Sequence, residues 1–249
     1  MRDFDEVARA IAGIPFMSPA QGRLVYDHVQ QSGARDVLEL GTAHGVGAAY
    51  MAAAGANVTT VDFAGASYDP SPEETARRAG VELNIVREYS SYTWWLKTQI
   101  EVNADAHGNV TPQYDFVYLD GAKNWTIDGL AVVLVEKLLR PGGWLLMDDL
   151  EWTYAQDPGR EATDGIVHRD LSEPERTQPH LRAVFDLIVA QHPSFTELRR
   201  QDEWWGWARK NPDAPRTYTV TTSQPLSALV TNAARKAARK ARRRVASLK

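Results

Sequence analysis

The sequence contains no cysteine. Disulfides, thiolate metal sites and cysteine nucleophiles are therefore excluded, and redox chemistry gives no guide to compartment. It also lacks any run of about 18 apolar residues, the length that a membrane-spanning helix needs. The N-terminus carries Asp3, Asp5 and Glu6 without a long apolar stretch, unlike a secretory leader. These absences lead to the expectation of a cytoplasmic protein. No internal repeat is present. From Leu226 to Lys249 there is no acid but there are eight Lys/Arg, which leaves the remainder with 20 basic and 32 acidic groups. A net charge of −4 thus hides an acidic body and a basic tail.

What is present reads as one α/β domain of ordinary size, with 43% hydrophobic residues over 249 positions. Phe4, Val7, Ala8 and Ile11 give a short helix over 3–12. A second helix opens at Ser18-Pro19-Ala20-Gln21, with Ser18 as N-cap, Pro19 in the first turn and Gln21 completing a capping box, and ends at Gly33. Strands are expected at 37–40, 58–61, 83–86, 114–119 and 144–147, with a loop over Gly65–Pro72. Helices are expected over 73–79 and 92–100. A further helix follows Asn124, with Ile127, Leu130, Ala131, Leu134, Val135 and Leu138 on one face, and Pro141-Gly142-Gly143 stops it. Residues 150–174 are polar and broken by Pro and Gly, which suggests an inserted flap. A helix over 175–191 and two antiparallel strands at 195–199 and 204–209 follow. Strands alternating with helices argue a doubly wound sheet.

Two stretches carry chemistry. In Glu39-Leu40-Gly41-Thr42-Ala43-His44-Gly45-Val46-Gly47 a buried strand runs into a glycine turn and a helix. Twenty-one residues after Gly41, Asp62 ends the next strand, where a carboxylate suits a ribose diol. The spacing departs from the G-x-G-x-x-G of dinucleotide folds; an ordinary strand-turn-helix without ligand is the plainer alternative. The pattern resembles the first motif of class I S-adenosylmethionine (SAM) methyltransferases. That resemblance implies a Rossmann-like, seven-stranded sheet with its last strand antiparallel. It also implies a SAM site including Gly41, Thr42, Gly45, Asp62 and Asp120, with Ser90 and Ser91 toward adenine. Ser18 or Gln21 could reach the same cofactor.

Asp120, Asp148 and Asp149 end the fourth and fifth strands. If those strands are neighbours, about 5 Å apart, the carboxylates converge beyond the carboxyl edge of the sheet. Three carboxylates together repel unless a cation joins them, and all-oxygen ligands suit Mg²⁺ or Mn²⁺. Leu119-Asp120-Gly121-Ala122-Lys123 and Leu146-Met147-Asp148-Asp149 resemble the metal motifs of metal-dependent O-methyltransferases, in the variant closer to the sugar group than to the catechol group. The resemblance covers about residues 17–152. It implies Mg²⁺ on the three acids and Lys123 as base, with a pKa lowered by nearby positive charge. Asp120 could instead cap a helix, and Lys123 could simply pair with it. His44 and, more weakly, His168 are other base candidates. Trp125 and Trp152 could pack on an acceptor ring.

The expected activity is methyl transfer to a sugar or glycoside hydroxyl, including polysaccharide precursors, with a catechol as the alternative acceptor. A SAM-binding scaffold without turnover is the competing class. Nucleic acid is disfavoured by the acidic body. The methyltransferase domain is expected over 1–211 and the basic tail over 212–249, with peripheral membrane contact through the tail and homo-oligomerisation as open partner readings.

Overall fold

The computed structural model describes residues 1–159, 161–163 and 166–213. The basic stretch expected at the C-terminus lies, from residue 214 on, outside the described residues. Strand β1 (Asp36–Leu40) sits near the middle of the sheet, with Val37, Leu38 and Leu40 fully buried. It pairs in parallel with β2 (Asn57–Phe63) and with β4 (Tyr114–Leu119). β3 (Asn84–Glu88) extends the sheet beyond β2, and β5 (Leu139–Met147) extends it beyond β4. After β5 the chain forms a two-stranded hairpin, β6 (Ala162–Thr163) with β7 (Ile166–Val167). It returns to the main sheet as β8 (Phe195–Gln201) and β9 (Trp205–Lys210). The order of the seven-stranded sheet is β3-β2-β1-β4-β5-β9-β8, with β9 antiparallel to both neighbours.

Helices cover both faces. α1 (Phe4–Ala10), α2 (Pro19–Ser32), α3 (Val46–Ala53) and α4 (Pro72–Ala79) supply buried residues to one apolar cluster or pack beside it, around Val37, Phe116 and Trp207. α5 (Tyr92–Val102), α6 (Trp125–Leu138) and α8 (His180–Val184) bury Leu96, Val135 and Leu181 against Leu38, Val117 and Leu145 on the other face. Ser18 caps α2 through the expected reciprocal bonds with Gln21, and Asn124 caps α6 by accepting the Ile127 amide at 2.8 Å. No helix among the described residues is long and apolar enough to cross a membrane.

Two expectations need correction. Pro141-Gly142-Gly143 does not stop α6; the chain turns extended at Leu139, and the three residues lie inside β5. The pairing with β4 shifts register between Tyr114 and Phe116, and such an irregularity accommodates a proline that cannot donate to the ladder. Gly143 is needed there because a Cβ would lie 2.7 Å from the Asp115 carbonyl oxygen. The helix expected over 175–191 is also divided. α7 (Glu173–Thr177) ends before Pro179, whose predecessor Gln178 is extended, as the proline ring requires. α8 then runs on into a π-helical turn over Phe185–Val189. The described residues between 150 and 174 include short turns and the β6–β7 pair, and Leu150, Tyr154 and His168 bury their side chains.

Candidate active site

β1 and β4 are adjacent, but the chain leaves them toward opposite edges of the sheet. Such a switch point opens a crevice beyond the carboxyl ends of the strands. Here the Asp120 amide donates to the Leu40 carbonyl at 2.9 Å, and the Gly41 amide to the Val61 carbonyl at 2.9 Å. Gly41 adopts φ 102°, and a Cβ on it would lie 2.1 Å from the Asp120 carbonyl oxygen. Gly45 begins α3 at φ 78° with Pro72 3.0 Å from its virtual Cβ, and a Cβ on Gly47 would stand 2.5 Å from Glu39 Oε1. These glycines let the chain approach itself, whereas close approach to a ligand is the reason their pattern suggests.

Asp62 accepts the Ala43 amide at 2.7 Å and so ties the glycine turn to the end of β2. Below the turn, the Thr42 and Thr60 hydroxyls meet at 2.6 Å, and Thr60 donates to Glu39 Oε2 at 2.5 Å. Burial pushes the Glu39 carboxyl up to about 8, so it carries a proton at neutral pH.

The acids at the ends of β4 and β5 do converge, and Lys123 stands among them. Its ammonium bonds Asp149 closely and lies 3.5 Å from Asp120 Oδ1. Asp148 is the most enclosed of the three. Its Oδ1 accepts the Trp205 indole N–H at 2.7 Å and the Asp149 amide at 2.7 Å. Its Oδ2 accepts the Tyr118 hydroxyl, which also lies 3.4 Å from Asp120 Oδ2. Burial, reinforced by the charge of Asp149, pushes Asp148 up to about 6. Burial likewise holds Asp120 well above the usual carboxylate range, against the pull of Lys123. For Lys123, burial alone would lower the pKa, but the charges of Asp120 and Asp149 outweigh it and the ammonium is strengthened. The expected lowering requires further positive charge beside Lys123; among the side chains alone, Lys123 is itself the cation that the acids gather around. Among the described residues, no three His, Cys, Asp or Glu side chains are placed as a ready metal site. Asp120, Asp148 and Asp149 are therefore brought together, but around an ammonium.

The turn after β4 is held by two residues the sequence did not single out. The Tyr92 hydroxyl accepts the Ala122 amide at 3.1 Å and bonds Asp128, which also accepts the Asn124 amide at 2.7 Å. Tyr118 had a legible signal, since it precedes Asp120 by two positions on one strand and shares its face. Trp205 had none, because its contact depends on how β9 pairs with β5.

A cavity of about 340 Å³ joins the two halves of the site. Gly41, Asp62, Ser90 and Ser91 line one end, and Asp120, Lys123, Asp148 and Asp149 the other; Gln21 and Phe16 also reach it. Ser91 caps α5 by accepting the Thr93 amide at 3.2 Å while lining this space. Thr42, Gly45 and His44 lie outside the lining. His44 is drawn aside: its Nδ1 lies 2.7 Å from the Pro70 carbonyl oxygen, and its ring stacks on Phe16 and meets Tyr68 edge-on. His44 instead lines a small neighbouring cavity together with Gly41 and Asp120. His168 packs on Tyr154 in the 150–174 segment.

Residues 38–150 match the family model of a methyltransferase domain. This segment is similar to methyltransferase domains. The matched segment runs from the middle of β1 to just past the Asp148-Asp149 pair, and of the residues that line the cavity only Phe16, Gln21 and Ala162 lie outside it. No curated protein matches the sequence. Among solved structures, the O-methyltransferase TomG of Streptomyces achromogenes, involved in tomaymycin synthesis and solved with SAM, is 19% identical, with a TM-score of 0.55 over 85% of this chain and 91% of its own. An O-methyltransferase of Bacillus cereus in complex with SAH is 22% identical, with a TM-score of 0.53 over 84% and 90%. A Staphylococcus aureus protein described as a caffeoyl-CoA O-methyltransferase is 17% identical, with a TM-score of 0.59 over 85% and 93%. At these identities the likeness is one of fold, and it includes the reversed last strand of the sheet.

Proposed function

We propose that this protein is a methyltransferase that transfers the methyl group of SAM to a hydroxyl of a sugar or glycoside. The observation that carries the reading is the single cavity that joins Asp62 and the glycine turn to the Asp120–Lys123–Asp148–Asp149 cluster. The SAM- and SAH-bound neighbours support the choice of cofactor. In this reading the Asp62 carboxylate accepts the ribose hydroxyls while keeping its bond to Ala43, and Ser90 and Ser91 flank the adenine. The sulfonium then faces the acid cluster, whose negative charge favours a cationic donor.

The acceptor oxygen attacks the methyl carbon in line with the departing sulfur, and the hydroxyl proton passes to the cluster. A carboxylate whose pKa is raised by burial is a better proton acceptor than one in water. Lys123, fully protonated, orients the acceptor oxygen by donating to it. Tyr118 and Trp205 hold Asp148 in place, and the 150–174 segment excludes water as positive charge on sulfur is lost.

Three carboxylates face one ammonium here, and the pKa values of Asp120 and Asp148 are raised. That surplus of negative charge, made of oxygen donors alone, fits a hard divalent cation in chemistry, although Lys123 holds the contact with Asp149. Asp120, Asp148 and Asp149 would hold Mg²⁺ or Mn²⁺, which would supply Lewis acidity to the acceptor hydroxyl.

The test is methyl transfer from labelled SAM to glycosides and to catechols, each with EDTA and with added Mg²⁺. Transfer to glycosides is expected; transfer to catechols alone would replace the acceptor class, and the caffeoyl-CoA-type neighbour makes that the second reading. SAM binding without transfer to any hydroxyl would make the protein a scaffold.

A further inference from the structure

A second, larger cavity of about 700 Å³ lies in the 150–174 segment and reaches the first turns of α7. It adjoins the cavity that holds the acid cluster, since Ala162 lines both. A chain of side chains spans the same short distance. The Lys123 ammonium lies 5.9 Å from the Trp152 ring, Trp152 meets Tyr154 at 5.0 Å, and Tyr154 lines the second cavity.

The walls define the chemistry of an occupant. Asp157, Glu161 and Glu173 face the space together with Arg169 and Arg176. Charges of both signs leave no field that selects an anion, and an apolar tail would desolvate these groups without replacing their hydrogen bonds. A polyol does replace them, since its hydroxyls donate to carboxylates and accept from guanidinium groups. Pro158 and Val167 supply small apolar contacts suited to the C–H face of a ring. The volume falls within the range of small-molecule sites, roughly 300–1,000 Å³.

We propose that this cavity is a subsite for a second sugar unit, so that the natural acceptor is an oligosaccharide or a glycoside at least two rings long. The inference rests on the sugar-hydroxyl reading above. The ring being methylated occupies the cavity beside Lys123, and the adjoining unit passes Ala162 into the flap cavity.

The experiment compares a one-ring acceptor, methyl α-mannoside, with its two-ring counterpart, methyl α-mannobioside, at saturating SAM. Two variants alter the far cavity without touching the acid cluster. Arg176→Ala removes a donor, and Ala155→Trp fills space; both positions are exposed, which favours normal folding. The two-ring acceptor is expected to show a kcat/KM about tenfold higher in the wild type, the scale of a hydrogen bond to a charged group. Each variant should remove most of that gain through KM, leaving kcat and the one-ring acceptor within about twofold. Equal kcat/KM for the two acceptors, or equal losses on both in the variants, would overturn the subsite while leaving sugar methylation standing. If neither glycoside accepts a methyl group while catechols do, the sugar reading and the subsite fall together.

Discussion

Gly41→Ala is a direct probe of the crevice. Two effects combine at this position. The backbone sits at φ 102°, where an L-residue is strained by about 1–2 kcal/mol. The added methyl group would also meet the Asp120 carbonyl oxygen at 2.1 Å, its carbonyl carbon at 2.6 Å and Gly121 Cα at 2.9 Å. All three are backbone atoms at the end of β4, so no rotamer change relieves the clash. Overpacking of this kind costs a further 1–3 kcal/mol or so. Gly33→Ala is the matched control: Gly33 ends α2 at φ 69°, and nothing lies within 4 Å of its virtual Cβ. It should bear the backbone strain alone. Urea unfolding followed by circular dichroism should place the Gly41→Ala midpoint below that of Gly33→Ala by on the order of 1 M at unchanged m. SAM affinity, measured by calorimetry on the folded fraction, should fall in Gly41→Ala and hold in Gly33→Ala. Equal midpoints would show that the ends of β1 and β4 do not press together as described.

Asp62→Ala should weaken SAM binding by about 1–3 kcal/mol in a titration, the range for hydrogen bonds to a charged group; unchanged affinity would move the ribose elsewhere. EDTA should abolish turnover and Mg²⁺ or Mn²⁺ should restore it, and full activity in EDTA would leave Lys123 as the cluster's working cation. His28 is packed among Phe116, Trp144 and Trp207, and burial lowers its pKa from 6.5 to about 4. Between those values the unfolded chain binds more protons, so His28 costs nothing above pH 6.5 and removes up to ~3 kcal/mol as pH falls through 4. His28→Leu should flatten that part of the stability–pH curve, and an unaltered slope would refute it. Glu39 has the opposite sign: its folded pKa is raised from 4.5 to about 8, so stability is lost as pH rises through that window. Glu39→Gln should therefore gain on the wild type in thermal melts as pH rises from 5 to 9, and an advantage that does not grow with pH would show that the carboxyl is not held protonated by burial.

Local chemistry was legible wherever neighbours in sequence are neighbours in space. Ser18 and Gln21 announce their capping box, and Asn124 its helix. The alternation of apolar runs and amphipathic stretches places Asp62, Asp120 and Asp148 at strand ends. What the sequence hid depends on contacts across long separations. The Pro141-Gly143 run looks like a helix stop because its partner, the irregular start of β4, lies about 25 residues earlier in the chain. The pairing of Lys123 with Asp149 spans 26 residues, a contact that spacing along the chain does not show. His44 looked available because the ring contacts that draw it aside come from Phe16 and Tyr68, on separate loops.

The bond from the Trp205 indole to Asp148 has a consequence for the newly made chain. Everything that forms the cofactor end of the cavity lies before residue 92, and β1 through β5 are complete by Met147. Tyr118 and the Asp149 amide can hold Asp148 by then, but its bond to Trp205 waits until β9 has docked antiparallel against β5. Chains fold from the N-terminus as they emerge. A growing polypeptide can therefore shape its nucleoside end more than a hundred residues before its reacting end is set. The segment from β8 onward thus completes both the acid cluster, through Trp205, and the apolar cores, through Phe195, Trp207 and Ala208.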